Sequence, residues 1–140
     1  MIRATDRPQQ NQKDGTMLAD IKTIRTHAFI KATPAGRLNR ENMKNLFTDI
    51  ASAAAPLDDY NILIDTRKAQ SKMSASDLWY LASQLNKLGK AFSRKTALLC
   101  PRERFDRAGF FALCAQNRGF LVNVFTSFED AMEWLMAEGP

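Results

Sequence analysis

Short unbroken apolar runs alternate along this chain with stretches of helical apolar spacing, and that alternation restricts its folds more than any other feature. The runs are Asn61-Ile62-Leu63-Ile64-Asp65, Lys95-Thr96-Ala97-Leu98-Leu99-Cys100 and Phe120-Leu121-Val122-Asn123-Val124-Phe125. Runs of this length fit strands buried on both faces. Around them lie four helical stripes. Met43, Leu46, Phe47, Ile50, Ala51 and Ala54 share one helix face, after Asn39 as N-cap and before Pro56 as terminator. Leu78, Leu81, Ala82, Leu85, Leu88 and Phe92 trace a second stripe, with Gly89 near its end. Residues 105–117 form a third, apolar around much of its girth and closed by Gly119. Phe128, Ala131, Met132 and Leu135 give the fourth. Ser74 with Asp77, and Ser127 with Asp130, each spell an S-x-x-D capping box.

Two further strand candidates, Met17–Ile21 and His27–Ala32, precede the first helix and suit a hairpin. Thr33-Pro34-Ala35-Gly36 is expected to stop the second. The resulting order is β-β-α-β-α-β-α-β-α. Single strands alternating with helices build parallel units with right-handed crossovers. The expectation is therefore an α/β fold: a mixed, mostly parallel sheet of about five strands with about four helices. Residues 1–15 are polar, with Pro8, Gly15 and three glutamines, and read as a flexible N-terminal leader. Residues 16–140 read as one domain.

Charge and composition exclude several classes. The 140 residues carry 20 Lys and Arg against 15 Asp and Glu, a formal +5. The basic residues are scattered, with none of the aromatic–basic interleaving that single-stranded nucleic acid needs, so no nucleic-acid partner is expected. Cys100 and Cys114 lack CxxC spacing and have only His27 for company, which leaves a metal site short of ligands. No apolar stretch approaches the roughly 20 residues of a membrane span. The N-terminus lacks the apolar centre of a signal peptide. A cytoplasmic protein with reduced thiols is expected. There is no GxGxxG, P-loop, HExxH or GxSxG, so neither a cofactor nor a named reaction is indicated, and the expectation is a non-enzymatic protein.

In an open α/β sheet, ligands bind outside the carboxyl ends of the strands. Three loops qualify, beginning at Asp65-Thr66-Arg67, at Cys100-Pro101-Arg102-Glu103-Arg104 and at Thr126-Ser127. Asp65 is either a ligand-orienting carboxylate or a loop cap helped by Arg67. Ser74 and Ser76 open a helix, where a serine either caps it or accepts a phosphate. Arg102 and Arg104, with Arg107, either rim an anion site or are solvated. Cys100 beside them is either an activated or an inert thiol. Asp65, Arg67, Ser74, Ser76, Arg102 and Arg104 are thus the candidates for binding a protein partner or a small apolar or anionic ligand. Trp79, Tyr80 and Trp134 complete a core or, if exposed, mark a partner surface. The apolar third helix cannot bury every side on one sheet face. A homodimer or a lidded pocket would each take up the excess.

Ala35-Gly36-Arg37-Leu38 before the first helix, Asn61–Asp65 as the central strand, and the closing run Val124 to Leu135 with its Ala131–Trp134-Leu135 ending carry a family resemblance. Over about residues 17–135 the sequence resembles the STAS fold (sulfate transporter and anti-sigma factor antagonist), in its SpoIIAA-like branch. The resemblance implies a regulatory module in signalling whose partner kinase phosphorylates a serine opening the helix after the central strand. Ser74 stands at that place, with Met73 and Ser76 where the motif has Asp and Gly. The branch is also similar to lipid-binding CRAL-TRIO-type domains, which implies an apolar ligand as a second route.

Overall fold

The structure, a computed structural model, describes residues 8–11, 17–24 and 29–137. Among them, seven strands form one sheet: β1 (Pro8–Asn11), β2 (Met17–Ile24), β3 (Phe29–Leu38), β4 (Asn61–Asp65), β5 (Ala69–Ser71), β6 (Thr96–Leu99) and β7 (Val122–Phe125). The helices are α1 (Arg40–Ala54), α2 (Ala75–Gln84), α3 (Phe105–Gln116) and α4 (Phe128–Met136). The strands run β1-β2-β3-β4-β6-β7 across the sheet, and β5 extends β3 on the flank beyond β4. β1 and β2 are antiparallel, as are β2 and β3; every later pairing is parallel.

This is the mixed, mostly parallel α/β sheet expected. Two of its strands, β1 and β5, are unforeseen. β1 comes from the polar leader and pairs Pro8–Asn11 with Met17–Asp20, so main-chain bonding rather than an apolar run makes it. β5 is three residues long, too short to show a period. His27 lies outside the described residues.

Three sequence expectations are corrected. Thr33-Pro34-Ala35-Gly36 does not end β3, which continues to Leu38. Pro34 follows the last residue paired with β4, Ala32, and precedes the first paired with β5, Gly36. On that flank the strand has no partner at residue 34, and a missing N–H costs no ladder bond there. The second stripe is not one helix: α2 ends at Gln84, a 3₁₀ turn spans Leu85–Leu88, and Phe92 is buried from the coil after Gly89, whose φ is +66°. The second S-x-x-D pattern forms half a box. Ser127 Oγ accepts from the Asp130 N–H at 3.3 Å, but donates to Glu129 Oε1 at 3.1 Å.

One core fills the face covered by α1, α2 and α3, centred on Phe47, Ile50, Ile62, Ile64, Leu81 and Phe92. Successive parallel crossovers of one hand put those three helices on that face. Among the described residues, α4 is the one helix on the opposite face, and its Ala131 and Leu135 pack on Phe29, Leu63, Ala97 and Leu99. Ile62, Leu63, Ile64 and Asp65 in β4, and all of β6, are therefore buried between two helical layers. A buried Leu or Ile side chain contributes about 1.5–3 kcal/mol, so the five Leu and Ile among these eight strand positions contribute strongly to the sheet's stability. Lys95 and Asn61 hold the end of α4. Lys95 Nζ donates to the carbonyls of Trp134 and Ala137, both at 2.8 Å, and Asn61 Nδ2 to that of Leu135 at 2.9 Å.

Candidate functional site

The turns after β4 and β6 meet at the carboxyl rim of the sheet. The Thr66 N–H donates to the Leu99 carbonyl at 2.8 Å, and Thr66 Oγ1 to the same oxygen at 3.0 Å. Asp65, at the end of β4, is buried. Arg67 donates to both its carboxylate oxygens, Nε to Oδ1 and Nη2 to Oδ2, each at 3.0 Å, and the Arg67 N–H adds a bond to Oδ1 at 3.1 Å. Burial alone would raise the Asp65 carboxyl; the Arg67 hydrogen bonds and charge, with Lys31 nearby, outweigh it and hold the carboxyl below its usual value. Asp65 is thus ionised and occupied as the anchor of its own turn.

The next segment crosses the rim as β5 and enters α2. Two arginines from the start of α3 fasten it through main-chain carbonyls. Arg104 donates to Ala69 O at 3.0 Å and to Thr66 O at 2.7 Å. Arg107 donates to Met73 O. Arg104 is therefore not a solvated helix end: its guanidinium is bonded to the segment that crosses the rim. Arg102 is exposed, on the 3₁₀ turn that leads into α3.

Ser74 is the N-cap of α2 in a complete capping box. Its Oγ accepts from the Asp77 N–H at 3.1 Å, and Asp77 Oδ2 accepts from the Ser74 N–H at 3.0 Å. Asp77 also pairs with Arg40 at 3.3 Å, and Arg40 lies 4.6 Å from the centre of the Tyr80 ring. The hydrogen bonds to Ser74 and the Arg40 charge lower the Asp77 pKa. Ser74 and Ser76 are both exposed. Ser76 lies between the two box residues, at the second helical position, and is no part of the box's bonds. Trp79, on the outer side of α2, is 52% exposed with Arg118 over its ring at 5.2 Å. Phe105, Phe110 and Leu113 of α3 are exposed as well. The apolar girth of that helix is thus left partly in water, while Tyr80 and Trp134 pack at the margins of the two cores.

Beneath the Ala69–Met73 segment lies an apolar chamber of about 60 Å³, lined by Met43, Met73, Leu78, Leu98, Cys100 and Phe111 among others. Its lining comes from α1, α2, α3, β6 and the loops between them, separated by up to some seventy residues, so no local signal in the sequence marks it. Cys100 is buried there; burial pushes its thiol up, more than Arg104 pulls it down, and leaves it protonated at neutral pH. Among the described residues no group of acidic, His and Cys side chains could hold a metal ion, and no helix is long and apolar enough to cross a membrane.

Of the six sequence candidates, the structure brings Asp65, Arg67 and Arg104 into one bonded rim. Ser74 stands at its exit, while Ser76 and Arg102 lie outside it in solvent. No protein-family model and no curated protein matches the chain. Two solved structures share its fold. One is an uncharacterized protein of the DUF3478 family with a SpoIIAA-like fold from Shewanella loihica PV-4, at 19% identity and a TM-score of 0.53 over 91% of this chain and 99% of that one. The other is an anti-sigma factor antagonist from Mycobacterium paratuberculosis, at 13% identity and a TM-score of 0.58 over 87% of this chain and 96% of that one. The expected STAS, SpoIIAA-like fold is the fold of this protein.

Proposed function

We propose that this protein is a non-enzymatic regulatory module of the STAS type, which docks a protein partner through the Asp65–Asp77 segment and α2 and is switched by phosphorylation of Ser74. The observation that carries the reading is the setting of Ser74: an exposed hydroxyl at the N-cap of α2, on a segment held by Arg67, Arg104 and Arg107 and followed by the exposed Trp79. A partner kinase would transfer the terminal phosphoryl of ATP to Ser74 Oγ. At a helix N-terminus the added charge of about −2 is tolerated by the fold. It alters the docking surface without unfolding it. The likeness in fold to an anti-sigma factor antagonist supports a protein partner.

The test compares immobilised wild type, Ser74→Ala and Ser74→Asp in native lysate by quantitative mass spectrometry. Proteins retained by wild type and Ser74→Ala but lost from Ser74→Asp are expected. Identical sets on all three end the switch.

A second reading, a sensor of a small apolar or anionic molecule at the same rim, is favoured by the chamber beneath Met73.

A further inference from the structure

The chamber does not stand alone. An open basin of about 380 Å³ lies outside it, lined by Ser71, Lys72, Met73, Glu103, Arg104 and Arg107. Ser71, Met73, Arg104 and Arg107 line both spaces, so basin and chamber adjoin at these residues. The two halves differ in chemistry. The chamber is walled by thioether, aliphatic and aromatic groups; the basin sets three basic side chains against one acidic one, Glu103. A space that is apolar within and cationic at its mouth suits an amphiphilic anion. At about 10–15 Å³ for each water-sized group, the chamber takes a chain of about four to six carbons.

We propose that this is a binding site for a short unbranched aliphatic carboxylate, its chain in the chamber among Met43, Met73 and Phe111 and its carboxylate in the basin against Arg107 and Lys72. The proposal rests on the second reading above and narrows it to one ligand class. Arg107 is suited to the head group. One of its terminal nitrogens donates to the Met73 carbonyl, which orients the guanidinium at the boundary between the two spaces. A planar guanidinium can then take a carboxylate through its other N–H groups. Occupancy would be felt at the docking segment, because Met73 touches the chamber and immediately precedes Ser74.

Methionine methyl resonances give a direct readout. Met43 and Met73 line the chamber, whereas Met132 packs with the core on the opposite face of the sheet. Protein labelled with ¹³C at the methionine methyls is titrated with butyrate, hexanoate, decanoate and n-butanol. Saturable shifts of Met43 and Met73, with Met132 unmoved, are expected for butyrate and hexanoate. Butanol is expected to bind at least tenfold more weakly, and decanoate no more tightly than hexanoate. Arg107→Gln is expected to erase the preference for butyrate over butanol. Ala108→Leu, which fills the chamber, is expected to abolish the shifts; Ser71→Leu, at the doorway, does the same if the first variant fails to fold.

Equal affinity for butanol and butyrate, or affinity that keeps rising to decanoate, overturns the carboxylate assignment and leaves an apolar-ligand reading standing. No saturable shift with any of the four compounds removes both.

Discussion

Arg67 grips both carboxylate oxygens of Asp65 from two residues away, at 3.0 Å each, and so turns the end of the central strand into a closed ionic hook. The Asp65 side chain is buried while that of Arg67 is 44% exposed. The pair therefore holds a turn rather than bridging distant elements. A strand-end aspartate with both oxygens occupied is a poor nucleophile or metal ligand.

The hook makes stability depend on acid. The folded-state pKa of Asp65 lies below its ordinary value, so its contribution is present above that ordinary value, near pH 4, and is lost as pH falls through the folded value. Asp65→Asn is expected to cost about 1.5–3 kcal/mol at pH 7, the range for charge-assisted bonds. The gap between wild type and variant should shrink in denaturant titrations repeated from pH 6 down to pH 3. A constant gap would mean that the charge is not what stabilises the turn.

Ser74 has a structural role that must be separated from a regulatory one. Ser74→Ala removes the cap and is expected to cost about 0.5–2 kcal/mol, whereas Ser74→Asp keeps an acceptor at the N-cap and should stay within about 0.5 kcal/mol of wild type. Ser76→Ala, which leaves both bonds of the box in place, is expected to change stability by less than about 0.5 kcal/mol. Urea midpoints of the three variants decide this. If Ser74→Asp is as unstable as Ser74→Ala, the aspartate does not cap.

Lys95 is buried, yet its ammonium ends on two carbonyls at the close of α4. Lys95→Met keeps the aliphatic stem and removes the donors. It is expected to destabilise the fold by about 1–3 kcal/mol, since two inward-facing carbonyls lose a charged partner. Amide exchange should rise first across Glu133–Met136. Unchanged exchange there would show that the helix end finds water instead.

β7 is an edge strand of the sheet, and two side chains occupy part of its outward backbone. In the parallel pair, Leu121 and Phe125 turn their carbonyls to β6, which leaves Val122 and Val124 facing outward. Gln116 Nε2 donates to Val122 O at 2.7 Å, and Asn123 Oδ1 accepts from the Val124 N–H at 3.0 Å. Occupied edge groups cannot template another strand. The double variant Gln116→Ala, Asn123→Val is expected to self-associate with rising concentration in sedimentation velocity, while wild type shows no edge-dependent species. Indistinguishable sedimentation would mean that the edge is guarded otherwise.

The strands β4 and β6 and all four helices were legible because each is a local pattern whose period matches its environment: continuous apolar runs between two helical layers, and one-sided stripes on a sheet. The caps at Asn39 and Ser74 were legible for the same reason, since a cap is made within three residues. The hook from Arg67 to Asp65 also spans only two residues, and the sequence already offered it as one of two roles.

What the sequence by itself determined, then, is the order and kind of the elements and the chemistry available at their ends. The tertiary structure alone decided that β3 runs through Pro34, because only the sheet shows that no partner stands beside it there. It decided that Arg104 and Arg107 bond to carbonyls some thirty-five residues away. It also decided that Met43, Met73, Cys100 and Phe111 enclose one space. Each of these depends on contacts between distant segments, and a pattern read along the chain carries the periodicity of an element but not the identity of what it packs against.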